Sequence, residues 1–262
     1  MNRSIPRIAA SVLLALVLAS PAFAQTASPK PAAATGETAA VRKILEERFP
    51  GAQIKHMAKV PYMGGVYEVM FDDQMLYVDP KVNYIFVGQV YDAKSKTNLT
   101  EQQVRKINRV AFSELPLNLA IKKVKGDGSR KVAVFSDADC PFCARLEESL
   151  KGVDNVTIYT FLYPIDQLHP DAARKSRLIW CAPDKVKAWD DFFTNGSLPS
   201  NAGDCDNPVA ATATLGQKLR ISATPTLVFA DGTLVPGALP PAGIESELAR
   251  AEVEAKKLAA GK

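Results

Sequence analysis

Apolar and polar positions alternate in a way that first predicts a small mixed domain over residues 37–97. A helical period runs through residues 37–49 and ends at Pro50-Gly51. Four short β-type runs follow, at Gln53–Val60, Gly65–Phe71, Met75–Val78 and Asn83–Tyr91. A unit of about 60 residues lies near the lower size limit for an independent core, so pairing with a second copy would stabilise it.

One segment within the last of these runs, Tyr84-Ile85-Phe86-Val87, is apolar on both faces. Such a segment is either an edge strand that pairs across a dimer or a buried central strand. Periodicity predicts a strand in both cases and does not separate the two.

The next segment, residues 98–122, has the pattern of a linker helix. Thr100 and Gln103 stand in capping-box spacing at its start. The helical period continues, as far as a stop at Pro116, through Val104, Ile107, Val110 and Ala111.

Residues 123–262 then alternate between strands and helices. A buried-strand run, Lys131–Ser136, leads into Cys140-Pro141-Phe142-Cys143, and the helical segment Ala144–Lys151 follows. The later elements are a strand at Val156–Leu162, helices within 170–220, a hairpin at Thr226–Ala230 and Thr233–Val235, and a helix at Ile244–Leu258. This order predicts an α+β chain whose second domain is thioredoxin-like with a helical insertion.

Composition and charge narrow the function classes. Of 262 residues, 47% are hydrophobic and 23% are charged, as in an ordinary globular protein. The formal net charge is +4, from 32 basic and 28 acidic residues. So small an excess of positive charge gives no reason to expect nucleic acid as a partner.

The first 24 residues have the pattern of a secretory signal peptide. Arg3 and Arg7 precede an apolar run, and Ala22-Phe23-Ala24 has the small-x-small pattern of a cleavage site, which predicts cleavage after Ala24. The apolar run is shorter than the about 20 residues that a membrane-spanning helix needs. Residues 25–36 read as a flexible leader. We therefore expect an exported protein in a compartment where disulfides persist.

The pair Cys140 and Cys143 is the candidate catalytic centre. Two intervening residues on the first turn of a helix let the two sulfurs reach bonding distance. Unpaired N–H groups at the helix N-terminus would stabilise a thiolate at Cys140, the attacking species in disulfide exchange. Cys143, one turn further along, would be the resolving thiol, so the pair would be a redox-active disulfide when oxidised.

Two other interpretations of this pair are weaker. Half of a zinc site would need a second ligand pair, and the chain offers only His56, His169 and two distant cysteines, so no metal site is predicted. A purely structural disulfide here would close too small a loop to constrain the unfolded chain.

The remaining cysteines, Cys181 and Cys205, are predicted to form a structural disulfide. Unused cysteines usually pair in an oxidising compartment. Their loop of about 25 residues is worth roughly 3 kcal/mol in the chain-entropy model. Two free buried thiols are the alternative.

Thr224-Pro225 stands before the strand that would face the dithiol. Taken alone, this Thr-Pro pair is typical of an ordinary trans strand start. A cis proline there would instead leave the backbone of Thr224 available to an extended peptide beside Cys140. His169 is predicted to be a surface residue, and Asp137 and Asp139 solvated loop acids.

Several motifs together make the chain resemble a known family. They are Phe135-Ser136-Asp137 leading into the Cys140–Cys143 motif, Ile179-Trp180-Cys181-Ala182, Ala223-Thr224-Pro225, and Gly232-Thr233-Leu234-Val235-Pro236-Gly237 with Pro240-Pro241. These motifs, and the order of the four cysteines, resemble periplasmic thiol:disulfide interchange proteins of the DsbC/DsbG type, DsbC most closely.

The resemblance implies a homodimer joined through N-terminal domains, each followed by a linker helix and a thioredoxin-like catalytic domain. It implies Cys140 as nucleophile, Cys143 as its partner, a cis Pro225, and substrate contacts at Thr224 and Pro225. The expected substrates are misfolded, wrongly oxidised exported proteins in the periplasm. A membrane reductase of the DsbD type would keep the pair reduced, and no cofactor is implied.

The expected activity is that of a disulfide isomerase or reductase, and two other functions compete with it. One is a chaperone-like holdase that shelters apolar segments, and the other is a DsbG-type reductase of single oxidised cysteines. Pro141-Phe142 differs from the Gly-Tyr of the best-known DsbC, and such residues tune the redox balance. Val134 stands where ordinary thioredoxins have a buried acid, which argues against a general cytosolic-type reductase.

Overall fold

The computed structural model describes residues 36–72 and 74–260. The predicted signal peptide, residues 1–24, and the predicted leader up to residue 35 lie outside the described residues.

The N-terminal unit is one helix packed on a sheet. Its elements are α1 (Gly36–Arg48), β1 (Ile54–Lys59), β2 (Tyr67–Phe71), β3 (Gln74–Val78) and β4 (Ile85–Val87). Within the described residues the strands pair antiparallel in chain order. Val41 and Leu45 of α1 are buried against Tyr67, Val69 and Val78, which alternate toward the helix along their strands. The predicted α+β character of this unit is confirmed.

The apolar segment 84–87 lies at the edge of this sheet, because β4 pairs with β3 on one side only. Tyr84 is 70% exposed, Phe86 48% and Val87 64%. Within the described residues this segment is therefore an exposed edge strand, and the buried-strand interpretation is wrong; its pairing across a dimer stays a prediction. The predicted run to Tyr91 is interrupted at Gly88, and the chain resumes as β5 (Tyr91–Asp92), which pairs with β6 (Thr97–Asn98).

The linker helix α2 (Leu99–Ile107) is shorter than predicted and has a different cap. Asn98 caps it, with its side-chain oxygen accepting a 3.1 Å hydrogen bond from the backbone N–H of Glu101. Thr100 is buried instead, and its hydroxyl is 2.5 Å from the hydroxyl of Tyr77. The predicted capping box was wrong because the Thr100 hydroxyl bonds to Tyr77 of the sheet and does not cap the helix.

The chain beyond α2 docks on the second domain instead of continuing the helix. The backbone N–H of Val110 donates to the carbonyl of Gly232 over 2.8 Å, and Arg109 pairs with buried Asp231. Two short 3₁₀ helices, Phe112–Glu114 and Leu117–Leu119, then lead to β7 (Ile121–Lys125). The predicted linker 98–122 therefore contains a helix of nine residues and ends in a strand.

The second domain is built on a mixed sheet. Its strands are β7, β8 (Arg130–Ser136), β9 (Val156–Leu162), β10 (Thr226–Phe229) and β11 (Leu234–Pro236). In the described part of the chain their order is β11-β10-β8-β9-β7, and β8 and β9 are parallel while the other neighbours are antiparallel.

Helices cover both faces of this sheet. Leu146 and Leu150 of α3 (Pro141–Lys151) share one buried cluster with Ile244 and Leu248 of α7 (Pro241–Ala260). The insertion between β9 and β10 consists of α4 (Ala172–Trp180), α5 (Lys185–Asn195) and α6 (Val209–Lys218). Val134 faces the α3 side and Phe135 the opposite cluster, as alternation along β8 requires. The predicted thioredoxin-like domain with a helical insertion is confirmed. Over the described ranges, no helix is both long and apolar enough to cross a membrane.

We expect Gly232→Ala to destabilise the protein strongly, because the linker backbone at Val110 packs directly against this glycine. Its φ is +86°, and an added Cβ would lie 2.2 Å from the carbonyl oxygen of Val110. Gly237→Ala is the matched control, because its φ is +90° and no atom lies within 4 Å of its added Cβ. Urea unfolding should show a loss of about 1 kcal/mol for the control and at least ~2 kcal/mol more for Gly232→Ala. Equal losses would contradict the tight docking.

Candidate active site

The two candidate cysteines stand at the junction of β8 and α3. Cys140 is the N-cap residue of α3, and Pro141 follows at the first helical position, where its missing N–H costs nothing. The backbone N–H of Cys140 donates to the carbonyl of Asp137 over 3.2 Å, which turns the chain from strand to helix. Both cysteines are free thiols in the structure. Cys140 thus holds the N-cap position at the positive end of the helix dipole, although its side chain accepts no hydrogen bond from the first turn.

Cys143 lies deeper than Cys140, with none of its surface exposed. The backbone N–H of Asp137 donates to its sulfur over 3.4 Å. Burial raises the pKa of Cys143 to about 12, an effect that the hydrogen bond from the backbone N–H of Asp137 only partly offsets. This thiol therefore keeps its proton at neutral pH, which suits a group that acts second.

Thr224 and Pro225 lie beside Cys140. The thiol of Cys140 donates to the carbonyl oxygen of Thr224 over 3.3 Å, and the Thr224–Pro225 peptide bond is cis. The carbonyl of Pro225 accepts a 2.7 Å hydrogen bond from the backbone N–H of Gly237. The fold thus brings together all four residues predicted for catalysis and substrate contact.

The other two cysteines are joined in a disulfide elsewhere in the domain. The Cys181–Cys205 bond has a Cα–Cα distance of 5.7 Å and ties the end of α4 to the loop before α6. It leaves Cys140 and Cys143 to react with each other. Within the described ranges no cluster of three or more metal-ligating side chains occurs.

Asp137 and His169 were assigned to the solvent by the sequence analysis, and the structure places them against the dithiol. The Asp137 side chain is completely buried and accepts hydrogen bonds from the backbone N–H groups of Asp139, at 2.8 Å, and Ile165, at 2.7 Å. Nδ1 of His169 lies 3.0 Å from the same carboxylate. The available signal was an acid placed directly after the strand that contains the buried apolar run Val132–Phe135, at the edge where strands β8 and β9 both end.

Glu147, one turn beyond Cys143 on α3, is a partly buried acid. Its Oε1 accepts a 2.9 Å hydrogen bond from the indole N–H of Trp189, and burial raises its pKa to about 7. Because the folded state binds this proton more tightly than the unfolded state, stability falls as pH rises from about 4.5 through 7.

We expect Glu147→Gln to stabilise the protein at pH 8 and to change its stability little at pH 4. The gain at pH 8 should approach about 3 kcal/mol, since each pKa unit is worth about 1.4 kcal/mol. Glutamine can still accept the indole hydrogen bond. Glu148→Gln, at an exposed neighbour, is the control and should show no comparable pH-dependent gain. Urea unfolding at both pH values measures the difference, and an equal gain at pH 4 would contradict the assignment.

Comparison with known proteins identifies both domains. Residues 117–252 match a thioredoxin-like domain, and residues 32–101 match the disulfide bond isomerase protein N-terminal domain. The chain is 42% identical over 209 residues to a probable thiol:disulfide interchange protein DsbC of Bordetella parapertussis, covering 80% of this chain and 73% of that protein. It is 28% identical to DsbC of Escherichia coli K12, over 79% and 86% of the two chains.

A solved structure agrees. The crystal structure of a disulfide interchange protein from Neisseria gonorrhoeae is 47% identical and superposes with a TM-score of 0.51. It covers 52% of this chain and 98% of its own. The predicted interchange activity and fold are thereby confirmed, and the chain acts as a protein disulfide isomerase or thiol-disulfide oxidoreductase. Both domains stand in the expected order, and the chain therefore belongs to the DsbC family of thiol:disulfide interchange proteins.

Proposed function

We propose that Cys140 is the nucleophile and Cys143 the resolving thiol of a disulfide isomerase and reductase for wrongly oxidised exported proteins. The observation that carries this assignment is the contrast between the two sulfurs. Cys140 stands at the N-cap position of α3 beside the Thr224 carbonyl and keeps 5% of its surface exposed, whereas Cys143 is completely buried and has a raised pKa.

After a shared first step, the reaction can follow two routes, isomerisation or reduction. The Cys140 thiolate attacks one sulfur of a client disulfide, the client S–S bond breaks, and the other client sulfur leaves as a thiolate. In isomerisation, a client thiolate later attacks the client sulfur of the mixed disulfide, and Cys140 leaves unchanged. In reduction, Cys143 attacks Cys140, and the reduced client leaves while a Cys140–Cys143 disulfide forms. That disulfide then needs two electrons from an external dithiol, which we assign to a membrane reductase of the DsbD type.

The client chain would bind as an extended peptide along Thr224 and Pro225. Thr224 is the residue whose carbonyl contacts the reactive sulfur, so main-chain pairing there would bring a client disulfide to Cys140. Phe142, 52% exposed, and Leu168, 68% exposed, offer apolar surface on the neighbouring segments. Both features suit unfolded clients, whose apolar residues are accessible.

We further propose that two chains form a homodimer through the open edge of β4. The exposed apolar residues there belong to the domain whose family match is the disulfide bond isomerase N-terminal domain. Unpaired edge strands with apolar side chains readily pair with another strand. A domain of this size also gains core stability by such pairing.

The place of action that we propose is the periplasm, after cleavage following Ala24. The support is the sequence pattern of residues 1–24 and the Cys181–Cys205 disulfide, which persists in oxidising compartments. We also propose the domain limits 37–97, 98–122 and 123–262, with the catalytic sheet beginning at Ile121.

The redox state of the dithiol in freshly isolated protein tests this function. Rapid acid quenching and alkylation should find Cys140 and Cys143 mostly reduced, and the protein should reshuffle a scrambled multi-disulfide substrate. An oxidised pair with no reshuffling would instead indicate an oxidase. Faster reaction with a sulfenic acid than with a scrambled disulfide would favour the reductase of single cysteines. Suppression of aggregation by a variant lacking both cysteines would show holdase activity.

A further inference from the structure

The buried carboxylate of Asp137 connects the dithiol to His169. Its backbone carbonyl accepts from the N–H of Cys140, and its backbone N–H donates to the sulfur of Cys143. Its side chain, which is completely buried, accepts three N–H groups, from Asp139, Ile165 and His169. His169 is thus the one side-chain donor in this set, with 21% of its side chain exposed.

The tautomer of His169 follows from this contact. A carboxylate only accepts hydrogen bonds, so Nδ1 of His169 carries the proton and donates it toward Asp137. The bond partly offsets the negative charge of Asp137 when the imidazole is neutral, and cancels it when the imidazole is protonated.

The resolving step is sensitive to negative charge at this place. Cys143 is a buried thiol that must become a thiolate before it can attack Cys140. The carboxylate belongs to the residue whose backbone N–H donates to that sulfur over 3.4 Å, and a negative charge held so close to a buried thiol opposes its ionisation. A group that fixes this carboxylate in place and offsets its negative charge therefore speeds the attack of Cys143 on Cys140.

We propose that His169 is a positioning residue for the resolving step, acting through its hydrogen bond to Asp137 on the ionisation of Cys143. The proposal rests on the proposed roles of the two cysteines. In that step the Cys143 proton leaves to water, the Cys143 thiolate attacks the Cys140 sulfur, and the bond to the client breaks. The client leaves as a thiolate and takes a proton from solvent.

Other charged groups surround the pair and remain in place in the test variants. Asp139 pairs with Lys175 of α4, and Lys175 also lies 3.5 Å from Asp171. Asp171 pairs with Arg174 on the outer side of α4. The backbone of Asp137 itself contacts both cysteines. Substitution at His169 alone therefore changes one donor and leaves the neighbouring ion pairs intact.

The test measures attack and resolution separately. A peptide with a fluorescent reporter is joined to Cys140 as a mixed disulfide, and its release by Cys143 is followed in a stopped-flow instrument. Attack is followed as formation of the same mixed disulfide in chains that carry Cys143→Ser. The variants are His169→Ala, which removes the donor, and His169→Asn, whose amide N–H can occupy the place of Nδ1. Gln167→Ala, at an exposed position in the same loop, is the matched control.

We expect His169→Ala to slow release about tenfold, because a hydrogen bond to a buried charge is lost. His169→Asn and Gln167→Ala should stay within about twofold of the parent. In the Cys143→Ser background, His169→Ala should leave the rate of attack unchanged. Release at the parental rate in His169→Ala would overturn the proposal, as would an equal slowing of attack or a failure of asparagine to restore release.

The effect should also depend on Asp137. In an Asp137→Asn chain, His169→Ala should cause no further slowing if the histidine acts through the carboxylate, and an undiminished slowing would overturn that route. Thermal unfolding of each variant identifies any general loss of folding. Failure of the underlying cysteine assignment has a different signature, because Cys143→Ser alone would then fail to accumulate the mixed disulfide.

Discussion

Replacing Cys140 with serine is expected to abolish disulfide exchange, with a loss of at least ~1,000-fold in the reshuffling of a scrambled substrate. A serine hydroxyl does not ionise near neutral pH, so the N-terminus of α3 has no thiolate to stabilise. Cys143 cannot take over the attack, because it is fully buried and burial raises its pKa to about 12.

Replacing Cys143 with serine should instead trap the first intermediate. The thiol beside Thr224 still attacks, but no neighbouring thiol releases a client that fails to release itself, so mixed disulfides accumulate on non-reducing gels. Ala144→Ser is the matched control, because it adds a hydroxyl at an exposed position immediately after Cys143. Reshuffling by the Cys140→Ser chain at the parental rate would contradict the assignment of the nucleophile.

Replacing Phe86 with aspartate is expected to convert the proposed dimer to monomers. The side chain lies on the open edge of β4 and is 48% exposed. In a two-fold symmetric interface the change occurs twice and buries two carboxylates, so the dissociation constant should rise at least about a thousandfold. Sedimentation velocity across a concentration series measures the shift.

Phe142→Asp is a matched control for this experiment. Phe142 is 52% exposed but lies at the start of α3 in the other domain, so its substitution should leave the oligomeric state unchanged. A parent chain that sediments as a monomer, or a Phe86→Asp chain that remains dimeric, would contradict the proposed interface.

Local patterns were sufficient for much of the fold. The strand Val156–Leu162 has the predicted bounds, because a run of buried β-favouring residues is a local property. The start of α3 followed from the C-P-F-C sequence, in which Pro141 has a preferred place at the first helical position. The β7 strand was missed because Lys122, Lys123 and Lys125 leave its five residues without an alternation of apolar and polar side chains, although their burial alternates. The predicted linker segment 98–122 also included its first two residues.

The features that the sequence did not predict depend on contacts between residues far apart in the chain. Val110 fits a helical period, but it packs against the catalytic domain and bonds to Gly232 in a segment that is not helical. Thr100 has good capping spacing, yet its hydroxyl pairs with Tyr77 of the sheet. Asp137 and His169 are 32 positions apart, and no local sequence pattern predicts their hydrogen bond. The contact between Cys140 and Thr224 was expected only through the family resemblance.

The shallow exposure of Cys140, of which 5% of the surface is accessible, sets a condition on any disulfide that it can open. A sulfur so enclosed can be reached only by a client segment that is unfolded enough to lie extended beside Thr224 and Pro225. A correctly formed bridge packed inside a finished protein does not do this. The protein would then act on wrong disulfides without recognising them as wrong, because a client that has completed folding buries its disulfides where Cys140 cannot reach them.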